Sequence, residues 1–480
     1  MLELELISLV KEAISKKSEN TDIEFKAAKK GTPEKLYDTL SSFSNTNGGT
    51  IIFGIDERKG YVITGIENPD SLIKEVTEQS QQMEPQIRPV FTIASIDKKI
   101  VVSAEIAELP YFEKPCFYKG KGKAKGSYIR VGDADLPMND YEIYNFEVYK
   151  RNIDEESRTV SGVTDQYINQ NLLNAYIGKL LNGKPNLSNL SRKDLLVMNR
   201  LDVDNQPTLC SILNFGKCPQ MVSPMLDIAC TVPSTDNYGE QNKGDVRFND
   251  SKRIEGTLID QVRGAIAFVS ANMKKKTIVN SNGERKDENE YPLLAIREAI
   301  LNAVIHRDYS ILTQNTSITI TMYSDRIEIE NPGCLYGGMT IEDLGKKNSS
   351  IRNPFIASIL ETMIETENRH FGIPTMYSEM SKAGLLPPLF ENGRDFFKVT
   401  FYNKEAKDKF NSIVTDEKII NFCSLPRTKS EIAETFGFNP KRPTFFINTY
   451  VLPLIEKGLL AYTIPQKPKS KNQRIIKAVR

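Results

Sequence analysis

The chain has 480 residues, of which 39% are hydrophobic and 26% charged, with 63 Lys and Arg against 62 Asp and Glu. This balance fits a folded chain of about three domains and excludes a disordered one. A net charge of +1 excludes whole-chain attraction to nucleic acid, so any such binding has to come from local patches.

The six cysteines lack C-x-x-C spacing and there are only two histidines, so neither a zinc site nor a disulfide framework is expected. The start, Met1-Leu2-Glu3-Leu4-Glu5-Leu6, has no basic region followed by an apolar core and does not read as a signal peptide. No apolar run reaches the roughly 18 residues that read as a membrane span. The expected compartment is a reducing cytoplasm, with no membrane partner.

In chain order, residues 3–17 predict an amphipathic helix and Asp22 to Lys26 a short strand with alternating sides. Thr32-Pro33 opens a helix whose buried face is Leu36, Leu40 and Phe43. Asn47-Gly48-Gly49 breaks the chain before a β-rich run, Thr50 to Asp56. A hairpin around Gly60 to Gly65 follows, then strands at 90–96 and 100–106. The next stretch is basic: Lys114, Lys119, Lys121, Lys123, Lys125 and Arg130 are interleaved with Phe117, Tyr118 and Tyr128. Glycines at 120, 122 and 126 make it read as a mobile loop. Its cations can track phosphates while an aromatic ring stacks on a base.

Farther on, Arg192 to Arg200 reads as a helix, and Thr208 to Gly216 and Met225 to Val232 as strands. A long helix is predicted over 257–273 and a charged, exposed hairpin or loop over 274–290. In the following helix, Pro292 suits a first helical position. Leu293, Ile296, Ile300 and Val304 form its apolar stripe. Glu298, Asn302 and His306 stand four apart and line one polar face, because a helix turns once in about 3.6 residues. That face can hold Mg²⁺ through the Asn302 amide oxygen, with Glu298 placed to activate a water. Ser317 to Tyr323 and Ile327 to Glu330 are strands, the second leading into Asn331-Pro332-Gly333.

The last segment, 405–480, predicts three helices and a β-hairpin. Ile419, Ile420 and Cys423 lie on the first helix. Thr428-Lys429-Ser430-Glu431 is a capping box opening the second, and 442–457 is the third. Strands at 459–464 and 473–478 flank a tip carrying Lys467, Lys469 and Lys471, followed by Arg474. From residue 457 onward there is no Asp or Glu. A basic hairpin beside such helices is a DNA footprint, with Arg442 and Asn448, or equally Lys441 and Thr444, placed to reach base edges.

Three resemblances unite these readings into a multidomain α/β (α+β) chain. Glu19, Glu24-Phe25-Lys26, Phe43 to Gly49, Phe53 to Asp56 and Tyr128 to Gly132 resemble the Schlafen AlbA-type domain, an α+β nucleic-acid-binding module, here over 1–150. That resemblance offers Glu19, Glu24 and Asp56 as carboxylates for a metal-dependent nuclease, although Glu24 and Asp56 could equally pair with Lys26 and Arg58. The helix ending in His306-Arg307-Asp308-Tyr309 resembles the N-box of histidine-kinase/gyrase-type ATPase-like α/β sandwiches, in the branch called RecG-like C-terminal, over 160–403. The resemblance implies ATP and Mg²⁺, with Glu298 as the base of an ATPase and Asn302 on the metal. It adds His306, Asn331, Gly333 and Gly372 to the nucleotide site. The branch usually has Gly-Thr-Gly-Ile where this chain has His370-Phe371-Gly372-Ile373, so Phe371 stands where a phosphate-facing glycine is expected. Residues 405–480 resemble a winged helix. The whole resembles DNA-binding transcriptional regulators, with double-stranded DNA as partner and a homo-oligomer as an open arrangement. The alternatives are a nuclease, an ATPase or a non-catalytic scaffold.

Overall fold

A computed structural model describes residues 1–16, 22–29, 31, 33, 36–235, 246–279, 285–346, 350–364, 372–438, 440, 443–466 and 473–478. It has two compact units. One is Met1–Asp154 with Tyr336–Gly338, and the other is Glu155–Leu335 with Met339–Arg480.

The first unit is built on four strands, β1 (Ile23–Lys26), β2 (Gly49–Phe53), β3 (Val90–Ile96) and β4 (Lys99–Ile106), in the order β1-β2-β4-β3. β1 and β2 are parallel, and helix α2 (Tyr37–Asn45) lies between them in the chain. β4 is antiparallel to both β2 and β3. Side chains alternate across the sheet with a period of two. Ile51 and Phe53 of β2 join Leu36, Leu40 and Phe43 on one face. Ile52 joins Leu6 and Val10 of helix α1 (Glu3–Lys16) on the other. The predicted hairpin is present as Ile55–Asp56 paired with Val62–Ile63.

The second unit carries a six-stranded sheet made of β5 (Ile228–Pro233), β6 (Phe248–Ile254), β7 (Ile318–Met322), β8 (Arg326–Pro332), β9 (Leu389–Asn392) and β10 (Phe396–Tyr402). Their order is β6-β5-β7-β8-β10-β9. Only β5 and β7 pair in parallel. Ile318, Ile320, Ile327, Ile329, Val399 and Phe401 are buried on the face shared with helices α4 (Leu258–Asn272) and α5 (Leu293–His306). The charged segment predicted over 274–290 contains an antiparallel pair, Lys275–Val279 with Arg285–Asn289.

One predicted strand is corrected. Leu209–Phe215 is a helix, α3, fully buried, with the Thr208 hydroxyl accepting from the Ser211 N–H at its N-terminus. A short continuous apolar run has no period that separates a buried helix from a strand. The Thr208 cap is the signal that decides it.

The last elements follow the expected order: α8 (Asp416–Phe422), α9 (Lys429–Thr435), a third helix, and the paired strands Leu460–Tyr462 and Ile475–Lys477. The capping box at Thr428 and Glu431 is formed. The third helix runs through Thr444–Phe446 and Leu452–Glu456 with a π-helical turn, Ile447–Val451, between them. Pro453 accounts for that widening. It has no N–H for the carbonyl four residues back, and its ring crowds that carbonyl.

Candidate nucleotide site and basic surfaces

Helix α5 buries Ala295, Ile296, Ala299, Ile300, Ala303 and Val304. That leaves Glu298, Asn302 and His306 on a half-buried polar face. Burial raises the pKa of the Glu298 carboxyl, and Arg297 opposes the shift. The Asn302 Nδ2 is buried without a hydrogen-bond partner among the described residues. A side-chain carbon at Gly372, the first residue of helix α7 (Gly372–Lys382), would stand 3.4 Å from that nitrogen and 3.7 Å from Oδ1. The start of α7 therefore closes directly on the Asn302 amide. Half a turn of the amide exchanges its donor and acceptor atoms, so the same position can offer an oxygen.

Pro292 precedes the first helical residue of α5 rather than occupying it. The residues that end α5 hold it in place. Both terminal nitrogens of the buried Arg307 donate to the Met225 carbonyl at 3.2 Å, and Nη2 also donates to the Thr316 carbonyl at 2.7 Å. The Asp308 carboxylate pairs with Arg352 at 3.3 Å and accepts from the Ser310 N–H at 2.9 Å. The Tyr309 hydroxyl donates to the Val304 carbonyl at 2.9 Å. Asn353 Nδ2 donates to the carbonyls of Ile305 and Arg307 at 2.7 and 2.8 Å, satisfying groups that a helix end leaves orphaned. Arg307, Asp308 and Tyr309 thus lock the helix, and the polar face lies upstream of them.

His306 sits half-buried on this face. Burial, and then the Arg352 cation, push its pKa down from 6.5 to about 4. The folded state therefore binds fewer protons than the unfolded chain between those values. The stabilisation is complete above about pH 6.5 and is lost as pH falls toward 4. Urea unfolding at pH 7 and pH 5 is expected to show a loss of stability that His306→Gln reduces.

Asn331 is buried at the end of β8, with Nδ2 only 3.5 Å from the Pro332 carbonyl. Gly333 has φ +106, and a side-chain carbon there would lie 2.8 Å from Asp308 Cβ. Gly333 therefore both adopts a conformation foreign to other residues and lets the turn close on Asp308. Gly333→Ala is expected to cost about 1–3 kcal/mol, read as a lowered Tm in thermal unfolding.

In the first unit the carboxylates sort differently. Glu24 is buried, with Oε1 paired to Lys26 and Oε2 at 2.8 Å from Arg130 Nη2. Arg130 also pairs with Asp135 at 2.9 Å, and Asp135 accepts from the hydroxyls of Thr39 and Ser42. Asp56 pairs with Lys59 at 3.3 Å rather than with Arg58. Glu19 lies outside the described residues. Among the described residues no three His, Cys, Asp or Glu come close enough to hold a metal ion. A metal at Glu24 would have to displace Lys26 or Arg130.

The basic stretch is corrected from a mobile loop to two short helical turns, Lys119–Lys121 and Gly122–Gly126. Lys119, Lys121 and Lys125 are exposed. Lys121 pairs with Asp38 and Lys123 with Glu147. The Arg130 side chain is only 2% exposed, so it holds the fold and does not face a phosphate. Near the C-terminus, Asn448 is exposed on the third helix. Arg474 is half-buried, and its N–H donates to Thr463 Oγ1 at 3.1 Å. Lys441, Arg442, Lys467, Lys469, Lys471 and Phe371 lie outside the described residues.

One buried helix cap gave little warning in the sequence. The carboxylate of Glu156, fully buried, accepts from the N–H groups of Phe355 and Ile356 at 2.8 and 2.7 Å. These N–H groups open helix α6 (Pro354–Met363), so the carboxylate caps it across 200 residues of chain.

This fold is a multidomain α/β chain with a candidate ligand site between α5 and the start of α7. Comparison with known families matches residues 19–139 to "Schlafen, AlbA_2" and residues 315–401 to "Putative ATP-dependent DNA helicase recG C-terminal". The two matches cover separate segments of the chain. Among solved structures it is similar to the DIP2311 protein of Corynebacterium diphtheriae. That match is 19% identical and covers 95% of this chain and 92% of that one, with a TM-score of 0.39. It is also similar to the N-terminal domain of a RecG-related protein of Nitrosomonas europaea, at 22% identity, 28% and 92% coverage and a TM-score of 0.22. Both scores are too low to carry an argument. No curated protein matches the chain. Among the described residues no helix is long and apolar enough to cross a membrane.

Proposed function

We propose that this protein binds nucleic acid, with double-stranded DNA as its main partner, and acts as a transcriptional regulator whose grip is gated by ATP. The observation that carries the nucleotide reading is Asn302, whose buried amide nitrogen lacks a partner among the described residues and faces Gly372 at the start of α7. A buried polar group left unpaired costs about 1–3 kcal/mol, and a polar ligand would recover it. The residues fit a Mg²⁺-bound nucleotide. Asn302 would hold the metal, Glu298 would orient a water, and His306, Asn331, Gly333 and Gly372 would border the site. When bound, Mg²⁺ supplies charge neutralisation for the phosphates. Glu298, with its pKa raised by burial, is a better proton acceptor than an ordinary exposed carboxylate. Phe371, standing where the related branch has glycine, favours weak binding and slow turnover, which suits a switch more than a motor.

DNA contact is assigned to the exposed Asn448 as a base reader, together with Arg442. Lys467, Lys469, Lys471 and Arg474 are assigned to phosphates, and for the three lysines and Arg442 the assignment rests on sequence alone. Fluorescence anisotropy with duplex DNA tests this part. Reversing the three lysines to Glu is expected to weaken binding to all sequences and to flatten its salt dependence. Asn448→Ala is expected to change sequence preference. Unchanged affinity in the triple reversal would assign the hairpin to protein contacts instead.

A further inference from the structure

The basic turns of the first unit present lysines beside aromatic rings, a pairing that suits either base stacking or phosphate tracking. The structure separates the two. Tyr118 stacks on Tyr37, with centroids 3.8 Å apart and planes at 14°, and the Tyr37 hydroxyl is held by Gln82 at 3.0 Å. Gly120 is pressed against the Tyr118 ring so closely that a side-chain carbon there would lie 2.5 Å from Cζ, and Gly126 against its backbone at 2.8 Å. Tyr128 lies under the Lys121 ammonium at 5.3 Å, and Phe117 under Lys123 at 5.7 Å. Each ring of this surface already has a partner within the unit. Two of the cations are also engaged, Lys121 by Asp38 and Lys123 by Glu147. Lys119 and Lys125 are exposed and form no ion pair among the described residues.

We infer that the turns 119–126 form a nucleic-acid contact that reads phosphates through Lys119 and Lys125 and does not read or stack bases. The inference rests on the nucleic-acid reading above and specifies how this unit takes part in it. Glycines at 120 and 126 serve close packing against Tyr118, so the two free lysines are held on a fixed scaffold rather than on a loose loop. Such a contact is indifferent to sequence and steeply dependent on salt.

The test uses the full chain and two fluorescent single strands of equal length, one natural in sequence and one abasic throughout. Anisotropy is followed over a range of salt concentrations. The native protein is expected to bind the two strands within about twofold of each other. In Lys119→Gln/Lys125→Gln both affinities fall, and the slope of log affinity against log salt flattens by about 1.4, at about 0.7 per phosphate contact on a single strand. Both side chains are exposed, so the variant keeps the native Tm. Abasic binding more than tenfold weaker than natural would overturn the inference, as would unchanged affinity and slope in the variant. In either case the wider nucleic-acid reading would stand. Failure of the native chain to bind any strand or duplex would overturn that wider reading as well.

Discussion

Asn302→Ala is expected to abolish Mg²⁺-dependent nucleotide binding, measured by titration calorimetry with a non-hydrolysable ATP analogue. The substitution deletes an amide whose nitrogen has no partner among the described residues, so little intramolecular bonding is removed, and Tm is expected to hold or rise. Metal-dependent affinity is expected to fall at least a hundredfold, because the cation would lose the protein oxygen assigned to it. Glu298→Ala is expected to leave binding nearly intact and to remove any hydrolysis, since a group that handles the water contributes little to the ground state. The pair separates a metal holder from a base. Tight binding in Asn302→Ala would remove the metal assignment, and loss of binding in Glu298→Ala would give that carboxylate a different task.

The second large effect lies in the first unit. Arg130→Met removes a guanidinium that holds Glu24 and Asp135 at 2.8 and 2.9 Å. Breaking such a buried pair costs about 3–5 kcal/mol, because carboxylates stay buried without their cation. The expected result is a large fall in the thermal stability of this unit. Adding Glu24→Gln is expected to recover part of it by removing one of the stranded charges. DNA affinity per folded molecule is expected to stay the same, the opposite of what a phosphate-contacting arginine would give. An intact Tm with reduced affinity would return Arg130 to the interface.

Helix α5 was legible because its signal is local. Apolar residues at helical spacing fix which face is buried, and Glu298, Asn302 and His306 fall on the other by geometry alone. The capping box at Thr428 and Glu431 was readable for the same reason. Arg130 was misread because its neighbours in sequence are lysines, whereas its partners Glu24 and Asp135 lie 106 and 5 residues away. Nothing near Glu156 marks it as the cap of α6, since the helix it serves begins 198 residues later. The glycines at 120 and 126 look like freedom in one dimension and prove to be close packing in three. Leu209–Phe215 shows the same limit, because a fully buried segment loses the polar face that would reveal its period.

Nucleotide at α5 is expected to control the grip on nucleic acid. Linkage makes this measurable from either side, because any effect of nucleotide on DNA affinity is matched by an equal effect of DNA on nucleotide affinity. The direct measurement is duplex DNA affinity of the full chain by anisotropy, at fixed salt, with Mg²⁺ alone and with Mg²⁺ and the ATP analogue. A change of at least fivefold in the native protein that disappears in Asn302→Ala is the predicted result. Identical affinities with and without nucleotide, at concentrations that calorimetry shows to be saturating, would contradict it.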